Sequence, residues 1–412
     1  MQHIQRVHVE IIGRFVEDQH LAGGSQRLGQ HQPVLLPAGK RAHLIARDTR
    51  VDHVGSLLRP KRVREARARF AKGEIPAAEL QRIESLEIGT VVQKQKQNGL
   101  RLATDGEFRR AWWHFDFLKE LGGCEIHKTE GAVVAGRVTS GESIHVSGKL
   151  DFPADHPMLT HFKLLKDRCD LAHVMPKMTI PSPSMLHYRG GRDAVSKDAY
   201  SDIDTFFVDL AMTYRKAVKA FYDAGCRYLQ FDDTSWGYFC SEDQRAKLRA
   251  RGEDPETLPG VYARVINYAI AERPADMTIT THVCRGNFRS NWIASGGYEP
   301  VAELLLGGVN YDGYFLEYDS DRAGGFEPLR FLPNGNKIVV LGLVTSKAGA
   351  LEKKDDIKRR IDEAARLVPL GQLALSPQCG FASTEEGNIL TEDEQWAKLR
   401  LVVDVANDVW GR

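Results

Sequence analysis

His282 and Cys284 stand two positions apart in THVCRGNF (281–288), directly after the apolar, β-branched run MTIT. In an extended chain residues i and i+2 point to the same side, so this imidazole and thiol can converge on one object, and a metal ion is such an object. Two later apolar runs end in further ligand types, Glu317 in LEYD and Cys379 in SPQCG. One imidazole, two thiols and one carboxylate form a four-coordinate set whose borderline-soft character suits Zn²⁺ better than Mg²⁺ or Ca²⁺. Earlier runs also end in polar residues: HVGS with His53, Gly55 and Ser56, TDGE with Asp105 and Glu107, PSPSMLHY with His187 and Tyr188, and QFDD with Asp232 and Asp233. Taken singly, each has a structural explanation, since loops are polar and an Asp after a strand often caps the next helix.

The elements that must position these residues follow from periodicity. Short apolar runs alternate with longer helical segments from residue 50 onward, the pattern of parallel strands joined by crossover helices. The runs are 51–56, 100–105, 173–180, 227–232, 277–283, 311–317, 337–343 and 373–378, and a strong helical pattern covers 204–225 with Gly225 placed as a C-cap. Eight such repeats predict an α/β fold of the (β/α)8 barrel type, with a doubly wound open sheet as the rival. In such a barrel the chemistry gathers at the C-terminal strand ends, which is where the polar residues fall. The one large excursion, about 111–170 after the second strand, contains the alternating ESIHVSGKL and reads as an inserted hairpin or lid beside the barrel mouth.

The chain has 412 residues, 42% hydrophobic, and nearly balanced charge, with 56 basic against 55 acidic residues. That balance gives no sign of a nucleic-acid partner or of attraction to an anionic membrane. The run IVVLGLV at 338–344 falls far short of the about 20 apolar residues a membrane span needs. Six scattered cysteines are not a disulfide framework and point to a reducing cytoplasm. Residues 1–45, with GGSQRLGQHQ, lack a secretory apolar core and read as an extension outside the fold. No low-complexity or Pro-rich linker divides the rest, so 46–412 reads as one domain.

Ordered along the chain, HVGSLLRP, TDGEFRR, LQFDD, THVC, LEYD and SPQCGF resemble the catalytic C-terminal barrel of the cobalamin-independent methionine synthase family, over roughly 50–410. The resemblance implies a zinc held by His282, Cys284, Glu317 and Cys379. It also implies a pocket for an amino-acid thiol lined by Gly55, Ser56, Glu107 and Asp232, the two carboxylates taking the ammonium group. Zinc binding would deprotonate a thiol whose ordinary pKa is about 8.5, and Glu317 could give way when that substrate arrives. The methyl donor would be 5-methyltetrahydrofolate.

Three features depart from the family pattern. There is no room for its second, N-terminal barrel; His187-Tyr188 stands where the family has an Asn-Trp pair on the pterin side; and VLGLVTSK carries Thr345, Ser346 and Lys347 in place of a proton-donating His. His187 or His53 is the expected substitute acid. Two further functions stay open: a demethylase in which tetrahydrofolate accepts a methyl group from an aryl or other ether, and a zinc-stabilised accessory protein without turnover. Glu107 and Asp232 argue against the last, since a purely structural zinc needs no carboxylates on other strands. Partners are expected to be a small-molecule methyl donor and acceptor, with a homo-oligomer or a partner protein left open.

Overall fold

The computed structural model describes residues 50–411 apart from 129–132, 135–136 and 139–140, so the extension expected over 1–45 lies outside the described residues. Strands four to eight of a parallel barrel are Tyr228–Asp233, Thr278–Val283, Gly313–Glu317, Ile338–Val344 and Leu373–Pro377, each paired in order with the next. Every residue of these five strands is buried, which is why they read as continuous apolar or β-branched runs rather than as alternating ones. The third strand is split at Lys177. Met175–Pro176 pairs with the second strand, Leu102–Ala103, and Met178–Pro181 pairs with the fourth.

The first strand is shorter than its expected span of 51–56. Val51 makes one parallel bridge to Leu375, and the chain then leaves the ladder at Gly55, whose φ of +141° only glycine adopts readily. Closure to the second strand runs through Thr104 Oγ1 donating to the Gly55 carbonyl at 2.6 Å and Leu57 N donating to the Gly106 carbonyl at 3.1 Å. The result is the expected α/β barrel, whose structural neighbours, described below, are barrels of the same kind.

Helices cover the outside. Ile203–Asp223 starts where Asp202 accepts from the N–H groups of Asp204 and Thr205, and stops where Gly225 takes a φ of +98°. The large excursion divides in two. Gly122–Lys128 and Glu142–Asp151 form an antiparallel hairpin whose Ile144, Val146 and Leu150 turn into the core. Pro157–Ala172, which fell within the expected insertion of 111–170, is instead the crossover helix between strands two and three: Leu165, Cys169 and Ala172 pack on Val92 and Ala103. No helix among the described residues is long and apolar enough to cross a membrane.

Candidate metal centre and its cleft

His282 and Cys284 leave the end of strand five, Glu317 ends strand six, and Cys379 follows strand eight. One ligand atom from each of the four lies within 4.8 Å of all the others, and all four residues are buried. The two sulfurs are 3.7 Å apart, far outside disulfide length, whereas two thiolates at about 2.3 Å from one tetrahedral ion stand roughly 3.8 Å apart. Neither ring nitrogen of His282 makes a hydrogen bond of good geometry although both are buried, and a bound metal would satisfy one of them. Donor types, spacing and the buried imidazole all fit zinc.

Electrostatics follow the crowding. The hydrogen bond between the thiols, strongest of the influences, raises Cys284 well above the ordinary thiol range and lowers Cys379 well below it. Burial works against a charge on His282, yet Cys379, Asp232 and Glu317 around it raise its pKa. Glu317 is raised by burial, with Lys347 and His282 opposing.

Above the cluster opens a cleft of about 210 Å³ whose walls include Ser56, Glu107, Asp232, His282, Cys284 and Cys379. Glu107 holds a positive φ of +60° and is braced by Thr179 Oγ1, which donates to its Oε1 at 2.9 Å, and by Arg110 at 3.5 Å. Its Oε2 is buried without a partner. Burial raises the Glu107 pKa and pushes that of Asp232 up to about 7; Gln230 Nε2 donates to Asp232 Oδ1 at 2.6 Å. Gly55 lies beneath these groups, where an added Cβ would come within 2.7 Å of Thr179 and 3.5 Å of Glu107. Gly380 leaves room for Ser56 Oγ, which accepts from Ala382 N at 3.3 Å. Arg59 of HVGSLLRP has a physical role: its guanidinium donates to the carbonyls of Ala382, Glu107 and Arg110, tying the loops after strands one, two and eight together.

His187 and Tyr188 do not line this cleft. His187 is buried with Nδ1 2.9 Å from the Tyr262 hydroxyl and Nε2 3.5 Å from Glu253, and burial lowers its pKa to about 3. Tyr188 packs against Tyr238, which does form part of the wall, at 5.6 Å between ring centroids. His53, the other expected acid, is also outside the lining, and burial lowers it to about 3. Reading strand ends did not find the aromatic walls. Trp112 stacks on Phe288 at 6.2 Å with an interplanar angle of 6°, and Trp113, Phe115 and Tyr238 complete the apolar side. The doublet AWWHF after TDGEFRR was the available signal.

A parallel eightfold barrel with a His, Cys, Glu, Cys cluster beneath a carboxylate-bearing cleft defines a class of metal-site barrel. The chain belongs to the cobalamin-independent synthase family, whose catalytic-domain model matches residues 49–408. It is 57% identical over 362 residues to the uncharacterized protein YxjH of Bacillus subtilis (strain 168), covering 88% of this chain and 94% of that one. A 5-methyltetrahydropteroyltriglutamate–homocysteine methyltransferase of Bacillus velezensis is 22% identical over 353 residues, which are 86% of this chain but 42% of that longer protein. A crystal structure from Listeria monocytogenes, provisionally assigned as a vitamin-B12 independent methionine synthase, is 46% identical. It covers 91% of this chain and all of its own, with a TM-score of 0.72. A B12-independent methionine synthase from Shewanella sp. W3-18-1, solved with selenomethionine, shares the fold at 18% identity and a TM-score of 0.64, over 88% of this chain and 98% of that one. Family membership supports a methyl-transfer role.

Proposed function

We propose that this chain is a zinc-dependent methyltransferase that passes a methyl group between a folate and a zinc-activated substrate, homocysteine being the acceptor whose groups the cleft suits. The observation that carries this reading is the meeting of four candidate ligand atoms within 4.8 Å, three of them from residues that line a cleft also holding Glu107 and Asp232. Zinc, when bound by His282, Cys284, Glu317 and Cys379, would supply Lewis-acid chemistry that presents a thiol as thiolate at neutral pH. Glu107 and Asp232 receive the substrate ammonium, with Ser56 and the backbone at Gly55 forming the adjoining wall. Trp112 and Phe288 offer flat apolar faces to a methyl-carrying pterin and exclude water from the transfer. Tyr188 acts through Tyr238, which it supports, and His187 through the packing beneath that wall.

One observation favours a second reading, a tetrahydrofolate-dependent O-demethylase. Among the described residues His282 is the one histidine in the cleft lining, and it belongs to the metal cluster. With no histidine outside the metal cluster in that lining, the proton that a methylfolate donor needs at N5 would have to come from a carboxyl such as Asp232, whose pKa burial pushes up to about 7, whereas tetrahydrofolate receiving a methyl from an aryl ether needs none there.

Elemental analysis of the wild-type chain and Cys379→Ser tests the common part. About one zinc per chain in the wild type is expected, lost in the variant together with all methyl transfer. Zinc content and turnover that survive Cys379→Ser overturn the ligand assignment. Mass spectrometry after incubation with methyltetrahydrofolate plus homocysteine, and separately with tetrahydrofolate plus aryl methyl ethers, tells the two directions apart.

A further inference from the structure

Glu317 is gripped from two sides by groups that are not metal ligands. Its Oε1 accepts the Arg285 backbone N–H at 2.8 Å, and its Oε2 accepts Arg322 Nη2 at 2.7 Å. The same guanidinium reaches Asp319 Oδ1 at 2.8 Å and Ser320 Oγ at 3.1 Å, and lies 5.7 Å from the centre of the Trp292 ring. The pair is dry: the Glu317 side chain is 0% exposed and that of Arg322 10%.

We infer that Arg322 is a positioning residue that makes Glu317 the yielding member of the four ligands, aiming its carboxylate and balancing its charge when a substrate sulfur takes its place. This rests on the zinc reading above. Hydrogen bonds to both carboxylate oxygens draw electron density from the donor atoms, leaving Glu317 a weaker ligand than either thiolate. A buried carboxylate released without a partner would be an uncompensated charge, a costly state that would keep it on the metal. Arg322, hydrogen-bonded to this carboxylate and shared with Asp319, lessens that obstacle, and Lys347 adds a further positive charge beside Glu317. With a metal bound, the exchange would balance: the incoming thiol would give its proton to solvent, its sulfur would replace the Glu317 carboxylate, and Glu317 would leave as an anion paired with Arg322.

The test uses the full chain loaded with Co²⁺, whose visible absorption reports the number of thiolate ligands, titrated with L-homocysteine. In the wild type, homocysteine is expected to intensify the sulfur-to-cobalt bands. Arg322→Gln should still take up about one cobalt but need roughly tenfold or more homocysteine for the same change, and Arg322→Lys should recover part of the loss. Arg322→Gln responding like the wild type overturns the inference. A wild-type cobalt protein indifferent to homocysteine also overturns it while leaving the metal centre standing. A wild-type chain that takes up no metal removes the zinc reading itself. Should Arg322→Gln fail to fold, Arg322→Lys carries the test: it keeps the charge without the planar fork, so its homocysteine requirement should rise, and an unchanged one overturns the role.

Discussion

Glu107 and Asp232 are acids that a core would not choose, both buried and both aimed by neighbours: Glu107 by Thr179 and by its ion pair with Arg110, Asp232 by Gln230. A cationic group entering the cleft would find two carboxylates already fixed, so little reorganisation is required on binding. Asp232→Asn and Glu107→Gln should each weaken an amino-acid substrate by about 1.5–3 kcal/mol, ten- to hundredfold in apparent affinity, with zinc content unchanged. An unaltered KM in both variants would remove them from the ammonium site. The histidines teach the complementary lesson. His187 and His53 occupy strand-end positions that invite a catalytic reading, yet their surroundings hold them neutral and outside the cleft lining, because a residue's chemistry depends on which way its side chain leaves the backbone.

Among the elements, the helix Pro157–Ala172 shows how a cap carries pH dependence. His156 precedes it, with Nδ1 accepting from Met158 N at 3.2 Å and Nε2 donating to the Phe117 carbonyl at 3.2 Å, an arrangement that needs the neutral ring. Burial lowers its pKa from 6.5 to about 4. Since the folded value lies below the unfolded one, the unfolded chain takes the proton first. The contribution of His156 is therefore complete above pH 6.5 and declines as pH falls toward 4, by up to roughly 3 kcal/mol. Urea midpoints measured from pH 7 to 4 should fall less steeply for His156→Gln than for the wild type; parallel curves would show that the cap does not titrate as described. This helix also corrects the expected insertion, whose lower-order alternation in ESIHVSGKL was legible as a hairpin while the crossover helix behind it was not separated from it. Its apolar positions, Met158, Leu159, Phe162, Leu165 and Cys169, recur at helical spacing, but length alone drew the boundary too far.

For the whole molecule, the four candidate ligands join strands five, six and eight across the barrel mouth, while Arg59 joins the loops after strands one, two and eight beside them. A metal bound there stabilises the closed barrel by mass action, about 4 kcal/mol at a thousandfold excess over its dissociation constant. Chelation should accordingly lower the Tm of the zinc-loaded wild type by several degrees and leave that of Cys379→Ser unmoved. Equal shifts in the two proteins would place the stabilising metal elsewhere.

The sequence by itself determined the alternation of buried strands and helices that a barrel shares with a doubly wound sheet, because strands buried on both faces are largely apolar and the segments between them helical; tertiary structure closed the barrel. It also singled out candidate ligand types, since few side chains bind zinc and the i, i+2 spacing of His282 and Cys284 at a strand end places both on one side. Tertiary structure alone decided that Glu317 and Cys379, far away along the chain, come within 4.8 Å of that pair, because parallel register brings distant strand ends to one rim. Likewise, only packing revealed Arg322 on Glu317, Trp112 against Phe288 and the inward burial of His187: contacts between side chains on different loops leave no period in the sequence, and their partners are chosen by the direction each loop takes on leaving the barrel.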